Sequence, residues 1–339
     1  MVKTLPGRAT WVRRFVVVAV TALSVVVSGC ASNASSSTTT STVVTGSGSS
    51  STSTTSTSTT STVDVGAVAG VWQSVAVPSG VSGTLNVDGV SCSSAEDCIA
   101  VGSENSPSGT AAVILGTTDG GLSWAVQTVP PGTAGLGGVS CPSDSHCVAV
   151  GSSGVLVGRP GGSWTPVNVP RVSYLVDVAC PSASDCVAVG DGYGGGQLVL
   201  GTSDSGSTWM PEPAPTNEGP PRHVSCTSVS DCQIVTYHRG EEVILRTADS
   251  GRSWTPGTLP AGPGFNAIAC ETAADCFGVG TGVVDISTDG GHSWATETSP
   301  VANNDELTSI ACPSDNECIA VGYATSPAQG AILLRYAGN

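Results

Sequence analysis

Cys180-Pro181-Ser182-Ala183-Ser184-Asp185-Cys186-Val187-Ala188-Val189-Gly190 decides the fold. Two cysteines stand six positions apart around a short polar turn, and an apolar run follows the second. The pattern recurs at Cys92/Cys98, Cys141/Cys147, Cys226/Cys232, Cys270/Cys276 and Cys312/Cys318. Five of the copies continue as Cys98-Ile99-Ala100-Val101-Gly102 does; the exception is Cys232-Gln233-Ile234-Val235-Thr236. A tryptophan accompanies each unit: Trp72, Trp124, Trp164, Trp209, Trp254 and Trp294. Repeats of roughly 40–50 residues mark solenoids, propellers and arrays. Short strands and Gly-rich turns within each repeat select an all-β propeller.

Within the unit around Cys180, Leu175 to Ala179 reads as one strand and Cys186 to Gly190 as its antiparallel return. Leu198-Val199-Leu200 makes a third strand, and Trp209 opens a fourth. Cysteines facing each other across such a hairpin satisfy disulfide geometry. Each short loop is worth only ~2–2.5 kcal/mol in loop entropy. The chain holds just 3 Phe and 5 Tyr, so modest staples matter. Zinc is the rival reading of paired cysteines. The spacing is unlike zinc knuckles and most pairs lack a histidine, so neither metal nor other cofactor is expected. The last cysteine unit ends after a third strand, Ala331 to Tyr336. Val71-Trp72-Gln73-Ser74-Val75-Ala76-Val77-Pro78 is a tryptophan strand with no unit before it. Together they predict a sixth blade completed from the N-terminal side, hence six four-stranded blades and no open edge.

The N-terminal fifth is of another kind. Lys3, Arg8, Arg13 and Arg14 precede an apolar stretch, Phe15 to Val27, too short for a stable membrane span. Val27-Ser28-Gly29-Cys30 resembles a bacterial lipobox, which implies a signal at 1–29 and lipidation of Cys30; an ordinary signal peptide is the alternative. Cys30 is also the odd one among 13 cysteines. Residues 31–63 are almost entirely Ser and Thr. They cannot bury enough apolar surface to order themselves, and predict a tether spanning roughly 30 Å. The domain reading is therefore 1–29 signal, 30–63 lipidated tether and 64–339 propeller, on the outer face of the cell envelope. Removing the four basic residues of 1–29 takes the net charge from −15 to −19, and no lysine follows Lys3. Nucleic-acid binding needs a basic footprint that this chain lacks. Membrane association is expected through the lipid alone.

Before four of the tryptophans lies a second motif. Thr117-Thr118-Asp119-Gly120-Gly121-Leu122-Ser123-Trp124 is the clearest copy; Thr202/Asp204/Gly206/Trp209, Thr247/Asp249/Gly251/Trp254 and Ser287/Asp289/Gly291/Trp294 repeat it. Gly158 to Trp164 keeps the tryptophan and loses the aspartate. A carboxylate accepting turn N–H groups and a glycine at positive φ explain the motif locally. Asp119, Asp204, Asp249 and Asp289 are therefore read as structural.

The motif resembles the Asp-box, or bacterial neuraminidase repeat, of sialidases, certain endoglucanases, sortilin-type receptors and a photosystem II assembly factor. The resemblance covers residues 70–339 and implies the fold, not the function. It also implies that the aspartate turns lie away from the ligand face. Cysteine hairpins, joining first and second strands, share the aspartate side. The opposite face carries Arg222, His223, Tyr237, His238 and Arg239, all in the unit whose cysteine motif departs from the rule. Places where a repeat rule fails are often functional. Tyr174, Tyr193, Phe265 and Tyr323 fall in comparable loops. Arg and aromatic side chains suit an acidic glycan or a protein partner. A sialidase would need three arginines and a Tyr–Glu pair; Arg171, Arg222 and Arg239 with Tyr237 and Glu241 or Glu242 are available, but no spacing marks them as a set. The expectation is a non-catalytic binding or scaffold module, with a glycoside hydrolase as the alternative.

Overall fold

The computed structural model describes residues 70–338, apart from 82, 170–171, 215–218, 239–240, 258–263, 271–274, 290–292, 315 and 326–329. Cys30, Arg171 and Arg239 therefore lie outside the described residues. Six four-stranded antiparallel sheets form the propeller. Blade 1 runs Thr84–Cys92, Asp97–Ser106, Gly109–Thr118 and Ala125–Val126. Blade 3 repeats this as Val172–Ala179, Cys186–Gly192, Gln197–Thr202 and Met210–Glu212. Blade 2 is Leu136–Ser143, His146–Gly151, Gly154–Gly158 and Thr165–Val167. Blade 4 is Pro221–Cys226, Cys232–His238, Glu241–Thr247 and Thr255–Gly257. Blade 5 is Phe265–Cys270, Cys276–Gly280, Val283–Ser287 and Ala295–Thr296. Blade 6 has Glu306–Ser314, Glu317–Ala324 and Gly330–Ala337, and its outer strand is Val71–Ser74, paired with the last of these.

The second strand of each blade explains the apolar run after the second cysteine. It is covered on both faces by neighbouring blades, so its residues need not alternate. Cys98 to Val101, Cys147 to Val150 and Cys318 to Val321 are all buried. The glycine that follows has a separate cause. The first strand bulges toward it, and a Cβ on Gly102, Gly190 or Gly322 would lie 2.0, 2.1 or 1.9 Å from a first-strand carbonyl oxygen. Blade 4 places Thr236 there, opposite Pro221; it is fully buried and its hydroxyl has no partner among the described residues.

Blades meet through apolar seams, each holding a tryptophan. Trp124 of blade 1 packs with Ile319, Val321 and Leu333 of blade 6. Trp209 of blade 3 packs with Val148, Val150 and Val155 of blade 2. Trp72 in blade 6 lies 6.0 Å from Phe277 of blade 5 and 5.2 Å from Tyr336. First strands of neighbouring blades are tied by side chains: Cys141 N–H donates to Ser91 Oγ, Cys180 N–H to Ser140 Oγ, and Val90 N–H to Ser309 Oγ.

Five hairpins close disulfides: Cys92–Cys98, Cys141–Cys147, Cys180–Cys186, Cys226–Cys232 and Cys312–Cys318. In blade 5 the backbone pairs Cys270 with Cys276, while the Cys270 side chain lies outside the described residues. The aspartate turns share one bond pattern. Thr117 Oγ1 donates to Asp119 Oδ1 at 2.7 Å and accepts from Gly121 N–H at 3.0 Å. Ser123 donates its N–H to Asp119 Oδ1 at 2.9 Å and its Oγ–H to Oδ2 at 2.6 Å. Asp204, Asp249 and Asp289 each take the same hydroxyl donor two residues before and the same pair four residues after. Gly121, Gly206 and Gly251 hold φ near +81°, +74° and +79°. Gly158 to Trp164 instead closes with Gly162 N–H donating to Arg159 O.

These bonds favour the charged carboxylate. The Ser123 hydroxyl, then Thr117, hold Asp119 at about 2, and Ser253, then Thr247, hold Asp249 at about 2. A depressed carboxyl pKa gives stability that is present above the unfolded value and lost as pH falls through the folded one. The melting temperature should therefore drop between about pH 4 and pH 2. In the Asp119→Asn/Asp249→Asn double variant this drop should be shallower by calorimetry; an unchanged profile would show that other carboxylates set acid stability.

Candidate functional site

First strands of all six blades surround one central cavity of about 610 Å³. Four residues before each hairpin's first cysteine stand Asp88, Gly137, Val176, Arg222, Asn266 and Thr308, no two alike, and all line this cavity. One ring of the channel wall is thus a first-strand position at which every blade differs. Its mouth on the side of the inter-blade loops adds Tyr174, Phe265, Glu306 and Tyr323, while Asp177 and His223 line it one residue nearer the cysteine hairpins.

Several of these groups hold one another. His223 Nδ1 lies 2.7 Å from Asp177 Oδ2, which also accepts Val224 N–H at 2.9 Å, so Asp177 ties blade 3 to blade 4. Burial alone would lower the His223 pKa, but the Asp177 charge and hydrogen bond raise it overall. Any stability from this pair is present at acidic pH and lost as pH rises past the histidine's raised value. Asn266 Nδ2 donates to Glu306 Oε1 at 3.0 Å and to Leu307 O at 2.9 Å, and Thr281 Oγ1 donates to Glu306 Oε2 at 3.2 Å. Thr308 Oγ1 donates to Val87 O at 2.9 Å. In blade 2 the wall is bare backbone: a Cβ on Gly137 would meet the Tyr174 hydroxyl at 2.8 Å, and one on Gly138 would meet Asp177 Oδ1 at 2.5 Å. The glycines make room for the side chains of blade 3.

Asp88 stands apart. Burial pushes its carboxyl up to about 6. Tyr174 is raised by burial and then by the Asp88 and Asp177 charges; Tyr323 is raised by burial and then by Glu306 and Asp88. One carboxyl group is thus sensed by tyrosines from blades 3 and 6. Glu306 and Tyr323 are also direct cross-strand partners. Among the described residues no group of three His, Cys, Asp or Glu is placed to hold a metal ion.

Of the residues singled out in the sequence, Arg222 and His223 line the cavity, as do Tyr174, Phe265 and Tyr323. Tyr193 lies instead at a hairpin tip, 76% exposed. Tyr237 and His238 fall on the second strand of blade 4, opposite Glu242 and Glu241, one strand outward from Arg222. Asp88, Asp177, Asn266 and Glu306 escaped the reading because each sits inside an apolar strand. Aligning the repeats on their cysteines exposes Asp88 and Asn266 directly.

Neither a family model nor a curated protein matches this chain. Solved structures do. A structure described as YCF48 bound to D1 peptide is 18% identical with TM-score 0.52, over 79% of this chain and 97% of that one. A protein of unknown function from Dyadobacter fermentans is 12% identical with TM-score 0.56, over 79% and 98%. A gluconolactonase from Xanthomonas campestris is 10% identical with TM-score 0.53, over 76% and 87%. At such identities the likeness is one of fold.

Proposed function

We propose that this chain is an exported, lipid-anchored propeller that binds a protein or glycan partner at the channel mouth without catalysis. The observation that carries the reading is the cavity itself. It gathers charged, aromatic and amide side chains at the positions where otherwise similar repeats diverge. The disulfides support export to an oxidising compartment. The lipobox-like Cys30, the signal at 1–29 and the tether at 30–63 support anchoring at the envelope's outer face. The four aspartate turns support kinship with Asp-box propellers. The neighbour solved with a peptide shares only the fold, so a peptide ligand rests here on the cavity.

Arg222, His223, Tyr237, His238 and Arg239 are the candidate ligand contacts from blade 4. Peptide and glycan arrays probed with the full-length protein test the reading. Binding without turnover is expected, and if the ligand is acidic Arg222→Ala with Arg239→Ala should abolish it while leaving the circular dichroism spectrum intact. The Glu306–Tyr323 pair, which lines the same cavity as Arg222, favours one second reading, a sialidase-like or other glycoside hydrolase. Turnover of a sialoside or other glycoside would replace the first reading with the second.

A further inference from the structure

We propose that the channel mouth takes a primary ammonium group, presented as the lysine side chain of a peptide or protein partner; this rests on the mouth being the binding site. Three carboxylates, Asp88, Asp177 and Glu306, face the cavity with two basic groups, Arg222 and His223. Asp177 is engaged by His223 and Val224, and Glu306 by Asn266 and Thr281. Asp88 has no hydrogen-bond donor among the described residues. Asp88 is half-buried at an open cavity, so water or a cation must supply what the protein does not.

The walls fit the same group. Tyr174 and Tyr323 line the same cavity as Asp88 from two other blades, and Phe265 and the 38%-exposed Ile268 line it as well. Aromatic faces attract an ammonium head, and apolar walls take its methylene stem. The carboxylates are too dispersed for a metal ion. An anionic ligand would meet three like charges. A neutral sugar would find many polar side chains already bonded to one another. The chain's charge of −15 attracts cationic partners at long range.

Isothermal titration of the full-length protein in detergent tests the assignment with four probes: tetralysine, its Nε-acetylated form, tetraglutamate and a glucosamine oligomer. Tetralysine should bind, and acetylation should weaken it at least tenfold. Asp88→Asn should weaken it at least tenfold as well. Asp144→Asn, the same charge change at an exposed cysteine-hairpin residue, should not. Because the propeller holds no lysine of its own, carbodiimide coupling of the peptide amines should map to Asp88 or Glu306. Equal binding by Asp88→Asn or by the acetylated peptide overturns the assignment. So does preference for the amino sugar, or no binding by any probe. Preference for tetraglutamate lost in Arg222→Ala would keep the mouth as the site and remove only the ammonium.

Discussion

Gly322→Ala should destabilise the propeller by about 3 kcal/mol, from one added methyl group. The glycine's backbone lies outside the left-handed region, so the cost is not conformational. The new Cβ would sit 1.9 Å from Glu306 O and 2.8 Å from Leu307 Cα. Both are backbone atoms of the adjoining strand, held there by the pairing of Leu307 with Gly322. Neither can swing away as a side-chain tip could, so the bulge of the first strand must move. For a domain of this size the loss corresponds to roughly 6–12 °C in melting temperature. Glu306 would move with its own carbonyl, so ligand binding should weaken too. Gly264→Ala is the control: among the described residues nothing lies within 4 Å of its added carbon, and its φ is ordinary. Calorimetry should find that variant within about 0.5 kcal/mol of the parent. Equal effects of the two substitutions would refute the packing account of the repeated glycine.

Trp72→Ala should cost about as much or more, in the range of ~3–5 kcal/mol for a buried aromatic. The indole is 4% exposed and contacts Phe277 and Tyr336, themselves 2% and 0% exposed. It lies on the short strand Val71–Ser74, which pairs with Gly330–Ala337. Truncating it loosens the outer strand of blade 6 and the seam to blade 5 together. Trp254 is only partly buried at its seam, so Trp254→Ala should cost less. Urea unfolding of both variants measures the difference. A Trp72→Ala midpoint equal to that of the parent would mean that Val71–Ser74 contributes little to blade 6.

The propeller was legible because its signals are local and repeated. Cysteines six residues apart fix a hairpin, the doubly covered second strand shows as an apolar run, and the aspartate turn is complete within eight residues. The site was legible only in part. Arg222 and His223 stand out as charged residues in a chain with few of them. Asp88 and Glu306 matter because strands far apart in sequence converge on one axis, which no local pattern records. Tyr237 and His238 share a blade with Arg222, yet the intervening hairpin carries them to the next strand outward. The bulge opposite Gly322, and its counterpart opposite Thr236, likewise depend on register across strands.

The central claim is that partners bind at the channel mouth, and a hydrogen-exchange footprint of a bound ligand tests it most directly. Mass spectrometry of the full-length protein, with and without the best ligand from the arrays, would report protection peptide by peptide. Protection is expected in 84–92, 172–179, 221–226 and 306–314, four of the six first strands that line the cavity, with the turns at 117–124, 202–209 and 247–254 unchanged. Protection confined to those turns or to the outer strands, with the first strands unchanged, would place the binding surface elsewhere and contradict the account.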